Sequence, residues 1–428
     1  MIWRGRHARR TLGEAARLTA ARLTAAAVLA LVSLLTLSCA RKGARQRQEI
    51  VAWVSWPVEA IQPLARRFET ENPGILVSLR QIPWRSGADS VTAAIKTGGV
   101  PDLCQLHSSQ LPPFMAGNTL SDWSAGVADL RSGLRGWDMC MLGDAIYGLP
   151  WLVRAQVLYY NKALFARAGL DSARAPDTWE DLRASAVRVQ RLRGGVHGYG
   201  FPAGDSGAAL ERIMPFVWGN GGEFLAAGLD SSRFGSLETV QSLEFLLSLR
   251  PFSLLASPDS LEREFLAGRL GVLLASSALP AHIADSAPAL RYGVTLAPRP
   301  AEDRGTHASV ADGEVLVSFT GSRRKEDALK LARFLVRPEN AHALATALRS
   351  VQPANLGADT TAWYRARPEQ QIVFHQYDTA RFLPNFRQRI ALEDTLHALW
   401  DDALGGRRSA ARMAALVDTF ITTHLGSR

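Results

Sequence analysis

The chain has 428 residues, 49 Lys and Arg against 40 Asp and Glu, and only three Cys, a length that accommodates two domains with separate cores. Residues 1–39 hold six Arg and one Glu, so five of the nine net positive charges sit in that leader and the rest of the chain carries +4. Such a weak balance, with no basic stripe of interleaved aromatics, gives no reason to propose nucleic acid as a partner.

In the leader, Arg4, Arg6, Arg9, Arg10, Arg17 and Arg22 precede an apolar run of fifteen residues, Leu23 to Leu37, which ends at Ser38-Cys39. A membrane span needs about 20 apolar residues, whereas the core of a secretory signal is shorter. A Cys directly after that core predicts a lipoprotein signal in which Cys39 becomes the lipidated first residue. Simple cleavage and an uncleaved anchor stay open, because Thr36 and Leu37 stand where Leu followed by a small residue is usual. Residues 40–48 read as a solvated tether. Cys104 and Cys140 either pair, as exported cysteines do, or remain buried thiols; their spacing fits no metal motif.

From Glu49 short apolar runs alternate with amphipathic ones. EIVAWVSW reads as a strand. The next stretch places Ala60, Ile61, Leu64, Ala65 and Phe68 at helical spacing and stops at Asn72-Pro73-Gly74. ILVSLRQI (strand), SVTAAIKTGG (helix) and DLCQLH (strand) continue the alternation. That order implies a parallel sheet with right-handed crossovers, and ligands of such sheets lie beyond the carboxyl ends of the strands. Trp56 and His107-Ser108-Ser109 fall there. Between 157 and 290 several helices follow, one opened by a capping box of Thr178 and Asp181. LGVLLASS, RYGVTLAP and GEVLVSF resume strand character, KEDALKLARFLVRPENAHALATAL is helical with Pro338 opening its second part, and the tail is helical again on both sides of Gly405-Gly406.

Catalytic patterns are lacking. There is no G-x-S-x-G, H-E-x-x-H, P-loop, or G-x-G-x-x-G after a strand. Gly204-Asp205-Ser206-Gly207 resembles part of a serine-protease signature, but Ala208 breaks it, and Asp401-Asp402 has no framing that marks glycosidase carboxylates. No enzyme and no cofactor are expected.

Several segments occur together and in order: YGLPW leading into LYYNKALFARAGL, then PDTWEDL, WGNGGEF, FLAGRLGVLLAS, RYGVTLAPRP, ADGEVLVSF, KEDALKLARFLVRPENA and LPNF. Over residues 49–425 the chain resembles the bacterial extracellular solute-binding proteins of family 1, the maltose-binding-protein type, which are capture components of ABC importers. The resemblance implies an α/β, two-lobed periplasmic-binding-protein fold of type II. Each lobe is then a mixed, mostly parallel sheet flanked by helices, with hinge crossings near 149–157, 297–305 and 351–358. The implied division is a signal at 1–39, a tether at 40–48, one lobe from 49–150 and 299–354, and the other from 151–298 and 355–428. The ligand is a sugar or oligosaccharide held at the lobe interface and passed to permease subunits driven by an ATPase. The protein is expected as a monomer at the outer face of the cytoplasmic membrane, or in the periplasm, held by its lipid anchor.

Sugar sites combine apolar platforms with a rim of oriented donors and acceptors. Trp56, Trp151 and Trp218 adjoin loops that reach the cleft in this family, and each is read as a platform or as core. His107, Ser108, Ser109, Glu211, Asn220, Ser276 and Glu314 match positions from which the family contacts ligand, and Asp205-Ser206 is a cap for the helix of Glu211. Two departures bear on specificity. Arg154 stands where maltose-type relatives carry an acid, and Glu393 stands where they place a Trp. Arg154 either grips a carboxylate or phosphate bidentately or pairs with Glu211 or another cleft carboxylate. A ligand-sensing lipoprotein of the same fold, or a lipid-anchored hydrolase, are the alternative functions.

Overall fold

The computed structural model describes residues 47–425, apart from 85, 205–208, 227, 229–230 and 359–367. The signal with Cys39, most of the tether and the cap proposed at Asp205-Ser206 lie outside the described residues. The described chain divides into a main body, Ile50–Phe68 with Val77–Arg428, and a minor unit that includes Glu69–Leu76. Within the minor unit the turn predicted at Asn72-Pro73-Gly74 is closed by Ile75 N–H on the Asn72 carbonyl at 2.9 Å.

Strands β1 (Gln48–Val54), β2 (Ile75–Gln81) and β3 (Leu103–His107) alternate with helices Val58–Glu71 and Gly87–Thr97, as the periodicity requires. β1 and β3 pair in parallel. A small hairpin, β4 (Met141–Leu142) with β5 (Ala145–Ile146), precedes the thirteen-residue strand β6 (Leu149–Asn161). The later strands are β7 (His197–Pro202), β8 (Ser253–Ala256), β9 (Leu270–Ser276), β10 (Tyr292–Thr295), β11 (Ser309–Val317), β12 (Gln352–Pro353) and β13 (Ala380–Phe382). The main path through the sheet is β2-β1-β3-β11-β6-β9-β7-β8. Its middle pairs, β3–β11, β11–β6 and β6–β9, are antiparallel, and β1–β3, β7–β8 and β7–β9 are parallel, so the sheet is mixed.

β6 belongs to both halves of this arrangement. Up to Ala155 it runs beside β11 and β12; from Gln156 it runs beside β9 and β10. The sequence of this strand, LPWLVRAQVLYYN, does not alternate apolar with polar because both its faces are covered. Only Arg154 and Gln156 break the buried pattern, and they flank the handover. Pro150 has no N–H to donate, and the β11 register shifts between Glu314 and Val315, the latter paired with Pro150. Past the handover, side chains of β6 alternate between two cores. Leu158 and Tyr160 pack with Phe165, Leu182, Trp400 and Met413. Val157 and Tyr159 face Phe265 and Ile283.

Local signals in the sequence are realised nearby. The Asn161 Oδ1 accepts from Ala163 N–H and Leu164 N–H at 3.0 and 3.1 Å, capping the helix Lys162–Arg167. That helix ends before Gly169, whose φ of 70° is open to glycine at low cost. The box of Thr178 and Asp181 forms as expected. Cys104 and Cys140 are separate buried thiols, which resolves the alternative left by the sequence.

Candidate functional site

The site begins with the segment Asp312-Gly313-Glu314 of β11. Residues two apart on a strand share a face, so Asp312 and Glu314 project together. Across the ladder Asp312 stands opposite Arg154 on β6, and Glu314 stands opposite His107 on β3. Four ionisable groups therefore meet on one face through register alone. Arg154 Nε donates to Asp312 Oδ1 at 3.0 Å and Nη2 donates to Glu314 Oε1 at 3.3 Å. His107 Nε2 lies 3.4 Å from Asp312 Oδ1. Gly313 allows the close approach: a Cβ there would collide with the Leu152 carbonyl of β6.

The Glu314 side chain is 1% exposed. Its Oε2 accepts from Gln105 Nε2 at 3.0 Å and its Oε1 from the Trp84 indole N–H at 3.4 Å. Trp84 is 42% exposed, and its ring meets the His107 ring edge-on at 5.6 Å. Gln110 holds both, accepting from His107 N–H at 3.1 Å and donating to the Trp84 carbonyl at 3.2 Å. Burial penalises an ionised Asp312, but the Arg154 and His107 charges outweigh it and hold the carboxyl well below the ordinary range. For His107, burial opposes the charged imidazole while the Asp312 bond and charge prevail, and its pKa rises.

A cavity of about 490 Å³ opens over this cluster. Trp84, His107, Ser109, Arg154 and Asp312 line it from one side. From the other come Tyr199 and Phe201 of β7, Leu273 to Ser276 of β9, the first turns of helices Ala209–Gly219 and Pro258–Leu266, and Leu279 with His282. Ala155 and Gln156, the handover of β6, lie between. A switch from one strand group to another leaves a crevice beyond the strand ends, where α/β proteins bind ligands. Glu211 enters from the helix Ala209–Gly219. The N-terminal turn of that helix is held by Glu393 of helix Arg389–Leu404, whose Oε2 accepts from Leu210 N–H at 3.2 Å. Burial raises Glu211, helped by the Asp312 charge, and burial pushes Glu393 up to about 7. Among the described residues no group of three His, Cys, Asp or Glu is arranged to hold a metal ion.

Residues 55–342 match the family model for bacterial extracellular solute-binding proteins. The chain belongs to that family. A putative binding protein of Brucella abortus (strain 2308) is 26% identical over 334 residues, covering 73% of this chain and 77% of that protein. The sn-glycerol-3-phosphate-binding periplasmic protein of Escherichia coli (strain K12) is 26% identical over 333 residues, covering 72% and 75%. Among solved structures, the cyclic alpha-maltosyl-1,6-maltose binding protein from Arthrobacter globiformis aligns with a TM-score of 0.79 at 21% identity, over 89% of this chain and 100% of that one. The fold is therefore the two-lobed periplasmic-binding-protein fold.

In this solute-binding protein the residues expected at the ligand separate into two sets. His107, Ser109, Arg154, Glu211 and Ser276 line one cavity. Ser108 sits just behind, its Oγ facing Gly313 N–H at 3.5 Å. Glu314 lies beneath the cavity as a counter-charge and does not line it. Trp151 is a correction: it is fully buried on β6, so the flat face expected in the cleft is core. Trp218 is 6% exposed, covered by the Arg381 guanidinium at 4.5 Å, and lies away from this cavity. Asn220 closes its helix, with Nδ2 donating to the Glu238 carbonyl at 3.0 Å. Trp56 is half-buried at the end of β1 and is not among the lining residues. The Arg154 alternative falls to the second reading, with Asp312 and Glu314 as the carboxylates in place of Glu211.

Sequence reasoning missed Trp84, Asp312, Glu262 and His282. Two signals were available. Pro83-Trp84 directly follows strand β2 at its carboxyl end, where a ligand residue is expected. Acids at positions 312 and 314, inside an otherwise apolar strand, place two carboxylates on one buried face.

Proposed function

We propose that this chain captures a sugar or a related polyhydroxylated solute in the cavity at the β6 handover and passes it to the permease of its importer. The observation that carries this reading is the lining itself: an exposed Trp84 ring at one side, and hydroxyl-matching donors and acceptors from Ser109, Gln156, Ser276 and Glu211 around it. Aromatic face plus polar rim is the chemistry that recognises a pyranose. The alpha-maltosyl ligand named for the Arthrobacter globiformis structure supports the same class. Walls drawn from two strand groups joined through β6 suit capture by closure, in which the ligand stabilises the state that contacts it from both sides.

The lobes in this reading are residues 49–150 with 299–354, and 151–298 with 355–428. The chain acts as a non-catalytic monomer, anchored through a lipid on Cys39 outside the cytoplasmic membrane. The test is thermal unfolding of the full chain in detergent micelles against neutral, amino and phosphorylated sugars. Solute at 100 times its Kd should add about 2.7 kcal/mol, a shift of roughly 5–10 °C for lobes of this size. No shift with any sugar sinks the sugar reading, and glycosidic turnover by the purified protein sinks the non-catalytic one. Palmitate labelling that persists in a Cys39→Ala variant sinks the anchor.

A further inference from the structure

Glu211, Asp259, Glu262 and Asp312 line the cavity, together with the guanidinium groups of Arg154 and Arg212 and the imidazoles of His107 and His282. These basic groups are already engaged: His107 Nε2 lies 3.4 Å from Asp312 Oδ1. Arg154 is engaged by Asp312 at 3.0 Å and Glu314 at 3.3 Å, and its side chain is only 12% exposed. Arg212 is buried and has its own partner within the chain. Glu262 is met by His282 Nδ1 at 2.5 Å. Glu211 differs from all of these. It lines the cavity and, among the described residues, is joined to no group by a hydrogen bond or ion pair, though the charges of His107, Arg389 and Arg154 reach it.

Closure over such a site removes water from the carboxylates, and an uncompensated buried charge costs several kcal/mol. A phosphorylated solute adds about −1.5 to −2 of charge to walls whose Arg154, His107 and His282 already face carboxylates. A solute with a protonated amine does the reverse. It gives Glu211 the donor it lacks and offsets the field of Asp312, while the open face of Trp84 attracts cations through its ring quadrupole. Burial first and the Asp312 charge second raise the proton affinity of Glu211, against the charges of His107, Arg389 and Arg154.

We propose that the solute is an amino sugar or amino-sugar oligomer whose ammonium group pairs with Glu211 in the field of Asp312. This rests on the reading of the cavity as a sugar site, and it separates this chain from its relative that binds sn-glycerol 3-phosphate. The probes are glucosamine and its β-1,4-linked dimer to tetramer, the glucose oligomers of the same lengths, and glucosamine 6-phosphate. Binding to the full chain is followed by calorimetry at about pH 7, where free carboxylates are ionised. The amine series should bind about tenfold or more tighter than its neutral counterpart, a difference of about 1.4 kcal/mol, with the phosphate weakest. Glu211→Gln should abolish that preference, so that amine and neutral sugars of equal length bind within about twofold of each other, and keep the melting temperature at or above that of the parent. Tightest binding by a neutral or phosphorylated sugar overturns the amine assignment and leaves the sugar reading standing. An amine preference that survives Glu211→Gln overturns the role of Glu211. No binding by any member overturns both readings.

Discussion

Arg154 and Asp312 are direct cross-strand partners on β6 and β11, and their side chains join at 3.0 Å beside the buried carboxylate of Glu314. One cation thus bridges two acids, Glu314 buried and Asp312 at the cavity wall. Loss of one partner leaves the other charge buried and unpaired, which typically costs 3–5 kcal/mol. Arg154→Ala should destabilise the protein by about that amount in urea unfolding. Arg154→Lys should recover part of it, since the ammonium keeps the charge but not the fork that reaches both acids. A loss below about 1 kcal/mol, the value of an exposed pair, would contradict this account.

Trp84 should behave in the opposite way. Its ring is exposed and contributes little to the core. Trp84→Ala is expected to weaken sugar binding by about 1 kcal/mol, close to fivefold, and to leave the melting temperature nearly unchanged. Titration of the single variant by calorimetry, beside its melting curve, separates the two effects; an equal loss in both would make Trp84 a packing residue.

For Trp151 the order reverses again. The indole is fully buried, and Trp151→Ala should cost about 3–5 kcal/mol through the cavity it leaves. Trp151→Phe should fold and bind its solute within about twofold of the parent, because no part of the ring faces ligand. A selective loss of affinity in the Phe variant would restore the platform role.

Glu393 makes stability depend on pH. Burial first of all raises its pKa from the ordinary 4.5 to about 7. Between those values the unfolded chain has released the proton while the native state still holds it, so stability falls as pH rises. The contribution is complete below 4.5 and lost above about 7, a total of about 3 kcal/mol. Glu393→Gln should flatten this part of the stability profile measured by urea unfolding at successive pH values. An unchanged slope would assign it to another group.

Much of the framework was legible in the chain. Helices and strands announced themselves through local periodicity, and the caps at Asn161 and Thr178 depend on atoms three residues away or fewer. Pro150, which cannot donate a ladder bond, marked the entry to β6. The linear order of motifs was enough for the family, because order and spacing survive when individual contacts change. His107 and Ser109 could be placed near the cavity from the predicted end of β3, and Ser276 from the family resemblance; all three line it.

Which side chains face the solute was a different matter. Trp151 and Trp84 are the same residue type, yet one is fully buried within β6 and the other opens to the cavity. Facing is decided by strand register, and a shift of one residue would exchange the two faces of a strand. The pairing of Arg154 with Asp312 joins positions 158 residues apart, and the placing of Glu211 on the same cavity depends on the packing of a third element, the helix Ala209–Gly219. Local propensity sets the elements; the charge balance of the cavity exists only once β3, β6 and β11 lie side by side.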